Sequence, residues 1–287
     1  MKKIGLCLAY KGVNYGMLLQ AYATQQIFLD LGFIPEIINY KDNIKHKLSL
    51  HNIYNIYLRP IYLRSKFNKL KIKFLKKLHE EFKLTYDLRT RAADKFRRNK
   101  FVNIVTYEGY DNLKAGAFNY DAVVVGSDQQ WLPLAAFGDF NTLRFVDDSI
   151  KKISFATSMG VVKYPKFVRE KAKEFLSRID FISVREESAK DIINSLINKP
   201  VKVILDPTFL LNKEDWQKRI PVQDPKKEPY ILCYFLGNSK INKQKAIDLK
   251  KATGLKLISI RSTEEYSKFD TIFADEIIRN AGPVNGN

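Results

Sequence analysis

Ile4-Gly-Leu-Cys-Leu-Ala-Tyr10, running into Lys11-Gly-Val-Asn-Tyr-Gly16, decides the fold. The first seven residues read as an apolar, buried strand, and the next six as the loop that leaves it. A helix is predicted from about Met17 to Leu31, with Leu19, Ala23, Ile27 and Leu31 four apart on one face. Gly32 supplies a left-handed stop, and Ile34-Pro-Glu-Ile-Ile-Asn-Tyr40 is the next strand. Strand, loop, helix, strand is the opening of a parallel α/β sheet. Lys2 and Lys3 before the apolar run imitate a signal peptide. The run breaks at Lys11-Gly12, too short for an export core and without a cleavage site.

The same pattern resumes at Tyr120-Asp-Ala-Val-Val-Val-Gly126, a continuous apolar strand. Further strands are expected at Thr142–Val146, Lys152–Ala156, Phe181–Val184 and Val201–Leu205, with helices over Pro165–Ser177 and Ser188–Leu196. Asp224-Pro-Lys-Lys-Glu-Pro229 reads as a linker. After it come strand Tyr230–Leu236, helix Lys240–Thr253, Gly254 as its stop, and strand Leu255–Ile260. The expected domains are 1–222, a linker at 223–229, and 230–287.

The chain has 287 residues, 45% hydrophobic and 13% aromatic, so it can bury a real core. No apolar run approaches the ~18–20 residues of a membrane-spanning helix. Cys7 and Cys233 are too few for a disulfide framework or a structural zinc site. A cytosolic protein is expected. The net charge of +18 is unevenly placed: residues 41–105 hold 18 Lys or Arg against 5 Asp or Glu. This segment reads as a basic helical insertion in the first domain. Phe67, Leu70, Phe74, Leu78 and Phe82 recur every three or four residues among lysines, an amphipathic helix; if Phe67, Leu70, Phe74 and Leu78 pack on that domain, the lysines face outward. Nucleic acid, anionic lipid or a charged polymer could be attracted to the lysines.

Parallel sheets place ligands at the carboxyl ends of their strands, where loops and helix N-termini converge. Here those ends carry Lys11–Gly16, Gly126-Ser-Asp-Gln-Gln-Trp131, Thr157-Ser-Met-Gly160, Arg185-Glu-Glu-Ser188 and Asp206-Pro-Thr208. Asn14, Tyr15 and Gly16 precede a helix, so they suit an anion or simply make a turn. Asp128 with Gln129 and Gln130 suits hydroxyl recognition or proton abstraction, and Trp131 could stack on a sugar face. Alternatively, Ser127 and Asp128 cap a helix. Arg185-Glu186 forms a substrate ion pair or a structural one. His46, His51 and His79 all lie in the basic segment, so a Ser/His/Asp or Cys/His set has no histidine at a strand end. No His-Asp-Glu ligand cluster appears, and no metal or cofactor is expected.

Five stretches in order resemble the polysaccharide pyruvyl transferase family: Asn14-Tyr-Gly-Met-Leu-Leu-Gln-Ala-Tyr-Ala23, Tyr120–Trp131, Lys152-Ile-Ser-Phe-Ala-Thr-Ser-Met-Gly160, Ile182-Ser-Val-Arg-Glu-Glu-Ser188, and Leu205-Asp-Pro-Thr-Phe-Leu-Leu211 with Trp216. The resemblance covers essentially residues 1–283. It implies a glycosyltransferase-B-like pair of Rossmann-like domains, the second one incomplete. It also implies transfer of pyruvyl from phosphoenolpyruvate, the donor substrate, to a saccharide hydroxyl pair to form a ketal, in exopolysaccharide biosynthesis. Carried onto this sequence, it makes Asp128 and Arg185 the catalytic candidates. Asn14, Tyr15, Gly16, Gln20, Ser127, Gln129, Trp131, Ser158, Gly160, Glu186, Asp206 and Thr208 become the substrate-binding candidates. Gln130 and Leu132 flank Trp131 where the family usually has an aliphatic residue and Asn. In the family, a pair like Gly282-Pro283 leads on to an Asp-Ser-Phe-His-Gly motif; here Val284-Asn-Gly-Asn287 follows. A truncated member is therefore expected, whether a fragment, an early stop or a degenerate copy, and it is either active or inactive as it stands.

The partners expected are a saccharide or lipid-linked oligosaccharide acceptor, and an anionic membrane surface through residues 41–105. The competing reading is a basic nucleic-acid-binding or membrane-surface protein without catalysis. Base-stacking sheets would carry surface aromatics on strands, whereas these aromatics are spaced as on a helix, which argues against nucleic acid as a partner.

Overall fold

The computed structural model describes residues 1–42, 70–221, 228–235, 239–261, 263 and 273–279. His46, His51, Phe67, most of the expected linker and the Gly282-Pro283 pair lie outside the described residues.

The first sheet has seven strands: β1 Lys3–Cys7, β2 Ile34–Lys41, β3 Ile104–Glu108, β4 Ala122–Asp128, β5 Lys151–Thr157, β6 Phe181–Val184 and β7 Val201–Val203. Their order is β3-β2-β1-β4-β5-β6-β7, and every neighbouring pair is parallel. Between the strands run α1 Tyr15–Asp30, α2 Glu80–Lys100, α3 Tyr110–Ala117, α4 Lys166–Arg178 and α5 Glu187–Asn194, and α6 Lys213–Arg219 follows β7. Strand order reverses between β1 and β4. That is the switch point of a doubly wound sheet, and it opens a crevice at the strand carboxyl ends.

Alternation along the strands explains how both faces are covered. Cys7, Ile38, Val123 and Val125 share one core with Leu113 of α3, Phe175 and Leu176 of α4 and Ile193 of α5. Their neighbours Leu6, Ile37 and Val124 are equally buried but point to the opposite face. Helix α1 packs against β2 and β4. Asn14 starts that helix by accepting the Met17 N–H at 3.1 Å, and Gly32 ends it at φ 80°.

Two expectations fail in this unit. Residues 142–146 form a turn, not a strand. Leu143, Phe145 and Val146 are buried because they fill the core, while Arg144 donates to the Ala136 and Lys171 carbonyls and holds the chain bent. Conversely, β3 begins inside the segment read as insertion. Its side chains alternate as on a sheet edge, with Ile104 and Thr106 outward, so it lacked the continuous apolar run of its neighbours.

The second unit groups residues 70–99 with those from 216 onward, while residues 100–215 belong with the first. Its parallel sheet is ordered β10-β9-β8, from β8 Tyr230–Tyr234, β9 Lys256–Ile260 and β10 Glu276–Ile278. Helix α7 Lys240–Thr253 joins β8 to β9, and Cys233, Ala246, Leu257 and Phe273 form a small core. Helix α2 belongs here because Arg89 donates to the Arg261 carbonyl at 2.5 Å and Arg261 meets Glu81 at 2.9 Å. The inward face of α2 is Phe82, Thr85, Arg89, Ala93 and Phe96. Residues 70–78 are also helical, yet Leu70, Phe74 and Leu78 are 62%, 61% and 56% exposed. The apolar spacing there marks a face, but not a buried one.

Candidate functional site

All seven strands of the first sheet point the same way, so the ends of β4, β5, β6 and β7 deliver their loops to one edge. Arg185, one residue beyond β6, stands at the centre. Its Nη1 donates to Asp206 Oδ2 at 2.5 Å, and its Nη2 lies 3.7 Å from Asp128 Oδ1. Its Nε lies 4.0 Å from Glu186 Oε1. Ser127 Oγ donates to the Ala156 carbonyl at 3.1 Å and sits 3.4 Å from Asp206 Oδ2. Asp206 Oδ1 accepts the Thr208 N–H at 3.0 Å and the Thr208 hydroxyl at 2.8 Å. Burial alone would raise the Asp206 carboxyl. The Thr208 and Arg185 hydrogen bonds outweigh that burial and hold it below the usual carboxylate range.

The backbone is unusual in the same place. Gly126, Asp128, Ala156 and Gly160 all have positive φ, and the Gly126–Ser127 peptide is cis. Gly126 is required here: a Cβ would stand 2.1 Å from the Phe155 carbonyl oxygen. The β4 and β5 loops are tied through Ser158, whose N–H donates to the Asp128 carbonyl at 2.9 Å and whose carbonyl accepts the Trp131 N–H at 3.1 Å. Positive-φ residues other than glycine are costly, and their clustering at a loop pair is a mark of functional sites.

Of the residues singled out from sequence, Ser127, Asp128, Arg185, Glu186, Asp206 and Thr208 converge. Gln20 joins them from α1: its Oε1 accepts the Ser127 N–H at 3.1 Å, and its Nε2 donates to the Ala9 and Met17 carbonyls. Gln20 is 2% exposed, so it holds β4 to the β1 loop rather than facing solvent. Asn14 caps α1, and half-buried Tyr15 and exposed Gly16 begin its first turn at the same edge. Gln129 is exposed, with its carboxamide against Gly160. The Ser158 hydroxyl accepts the Gly160 N–H at 3.1 Å in a buried position.

Trp131 differs from expectation. It is fully buried, tilted against Phe175 at 5.4 Å, with its indole N–H on the Asn141 carbonyl at 2.9 Å. Tyr164 donates to its backbone carbonyl. No ring face remains for a sugar. Phe209, 73% exposed and three residues past Asp206, presents one instead.

Two buried polar atoms lie unsatisfied among the described residues beside the cluster, Gln130 Nε2 and Glu186 Oε2. Such atoms are rare unless water or a ligand meets them. Lys11 and Phe209 are not among the candidate site residues named from sequence. Lys11 leaves the β1 end and donates to the Tyr40 carbonyl at 3.2 Å. Partial burial and the nearby Lys41 lower its ammonium from the ordinary lysine value. Its place in a strand-end loop was the available signal. Among the described residues, no group of His, Cys, Asp and Glu is arranged to hold a metal ion. Nor is any helix there long and apolar enough to cross a membrane.

The family model for polysaccharide pyruvyl transferase matches residues 14–285, nearly the whole chain. The chain belongs to that family. Comparison with curated proteins gives no match, and comparison with solved structures gives none. The match spans every element of the Asp128–Arg185–Asp206 cluster, and membership makes the chain a relative of transferases that act on saccharides.

Proposed function

We propose that this chain transfers pyruvyl from phosphoenolpyruvate to two hydroxyls of a free or lipid-linked saccharide, at the carboxyl edge of the first sheet. The observation that carries the reading is the Arg185 cluster within a family match of this extent. Three carboxylates, Asp128, Glu186 and Asp206, surround one guanidinium. A site with that surplus of negative charge repels a trianionic donor but accepts hydroxyl protons well. The cluster therefore suits the acceptor. Asp128, 3.7 Å from Arg185 where Asp206 is at 2.5 Å, is the base toward an attacking hydroxyl, and Arg185 fixes the carboxylates rather than the phosphate. The donor belongs at the β1 end of the same edge, where Lys11 and the partly exposed first turn of α1 favour an anion.

The chemistry balances without a redox partner. The donor methylene gains a proton to become methyl, one hydroxyl oxygen adds to C2, and the C–O bond to phosphate breaks. The second hydroxyl oxygen then closes the ketal. Two hydroxyl protons are released; one ends on the methyl group and the other on phosphate.

Calorimetry with phosphoenolpyruvate tests the donor half, and acceptor-dependent phosphate release tests the reaction. Binding with release across a saccharide panel is expected. Absence of binding, or phosphate release indifferent to every saccharide, would overturn the reading.

A further inference from the structure

The helical residues 70–78 carry a feature that pyruvyl transfer does not use. Leu70, Phe74 and Leu78 are spaced four apart and therefore share one face, which is more than half exposed. The opposite side is anchored: Lys76 Nζ meets Asp87 Oδ1 at 2.7 Å and lies 4.6 Å from the Tyr86 ring, and Ile72 and Leu75 are half-buried. The outward direction of the apolar residues is thus fixed by packing. On the helical wheel Lys73 and Lys77 flank the apolar face on one side and Lys71 on the other. Helix α2 continues the pattern, with Leu84, Arg91, Lys95 and Arg98 all exposed along one stripe.

We infer that this face docks on an anionic lipid surface, with Leu70, Phe74 and Leu78 entering the headgroup boundary and the flanking lysines meeting lipid phosphates. Charge chooses the occupant. A second copy would bring two lysine-rimmed faces together within a chain of net charge +18. Nucleic acid would satisfy the lysines but leave Phe74 and both leucines in water. Only a bilayer offers negative charge over an apolar layer at the depth of one side chain. The inference stands on exposure and charge, not on the transferase reading.

The test is sedimentation of the full chain with vesicles of phosphatidylcholine alone, or of phosphatidylcholine with one-third phosphatidylserine. Binding to the anionic vesicles only, weakened at high salt, is expected. The exposed Phe74→Ser change should lower the partition coefficient about tenfold with an unchanged far-ultraviolet spectrum, the scale of removing one inserted aromatic. Lys73→Gln and Lys77→Gln should each lower it about fivefold. Equal binding to neutral vesicles would overturn the proposal, as would binding untouched by Phe74→Ser. So would absence of lipid binding alongside tight binding to an oligonucleotide, or dimers that Phe74→Ser dissociates.

Discussion

Asp206→Asn isolates the charge at the heart of the cluster. An asparagine retains an Oδ1 that accepts the Thr208 N–H and hydroxyl, so the local turn survives. The amide nitrogen then replaces Oδ2 and faces Arg185 Nη1, a donor that had stood 2.5 Å from an acceptor. What is lost is one hydrogen bond to a charged group, ~1.5–3 kcal/mol. Both side chains are mostly buried, 24% and 17% exposed, so solvent screens the pair only in part. For a unit of this size ~1 kcal/mol moves Tm by roughly 2–4 °C, so a fall of about 3–12 °C is expected at pH 7. The chain has two tryptophans, and Trp216→Phe would leave buried Trp131 as the reporter of the first unit. The pH dependence follows from the depressed Asp206 carboxyl. Its contribution is fully present above the unfolded aspartate value of ~3.9 and disappears as pH falls through the lower folded value. The gap in Tm between the two proteins should therefore close progressively below about pH 4. An unchanged Tm at pH 7, or a gap that persists undiminished at the acid end, would refute the assignment.

Asp128→Asn should lower acceptor-dependent phosphate release by ~10²–10⁴-fold, the range for loss of a general base, without changing Tm. Lys11→Met should weaken phosphoenolpyruvate binding in calorimetry by ~1.5–3 kcal/mol. In the unchanged protein, donor affinity should fall as pH rises through the lowered Lys11 value. Gly126→Ala forces a Cβ to 2.1 Å from the Phe155 carbonyl at φ 136°. It should cost at least ~1–3 kcal/mol in denaturant unfolding. Phe209→Ala removes an exposed ring, so KM for the saccharide should rise while Tm stays constant.

The central strands were legible because burial on both faces demands continuous apolar runs, and Val123-Val-Val125 is one. Edge strand β3 alternates instead and sits among basic residues, so neither signal marked it. At 142–146 the apolar residues fill a turn held by Arg144 side-chain hydrogen bonds, and apolarity alone cannot tell filling from pairing. The site divides in the same way. Asp128, Arg185 and Asp206 were readable because parallel strand ends converge whatever the register. Gln20 and Trp131 could not be assigned so, since their roles depend on which partner burial supplies: Ser127 for the first, Phe175 and Asn141 for the second. Residues 70–78 give the sharpest instance. A four-residue apolar spacing specifies that a helix has two faces and leaves open what meets each. Here Lys76, drawn in by Asp87 and Tyr86, turns the apolar side outward. One partly exposed ion pair, with its ring contact, thus helps decide whether the same sequence pattern builds a core or a surface.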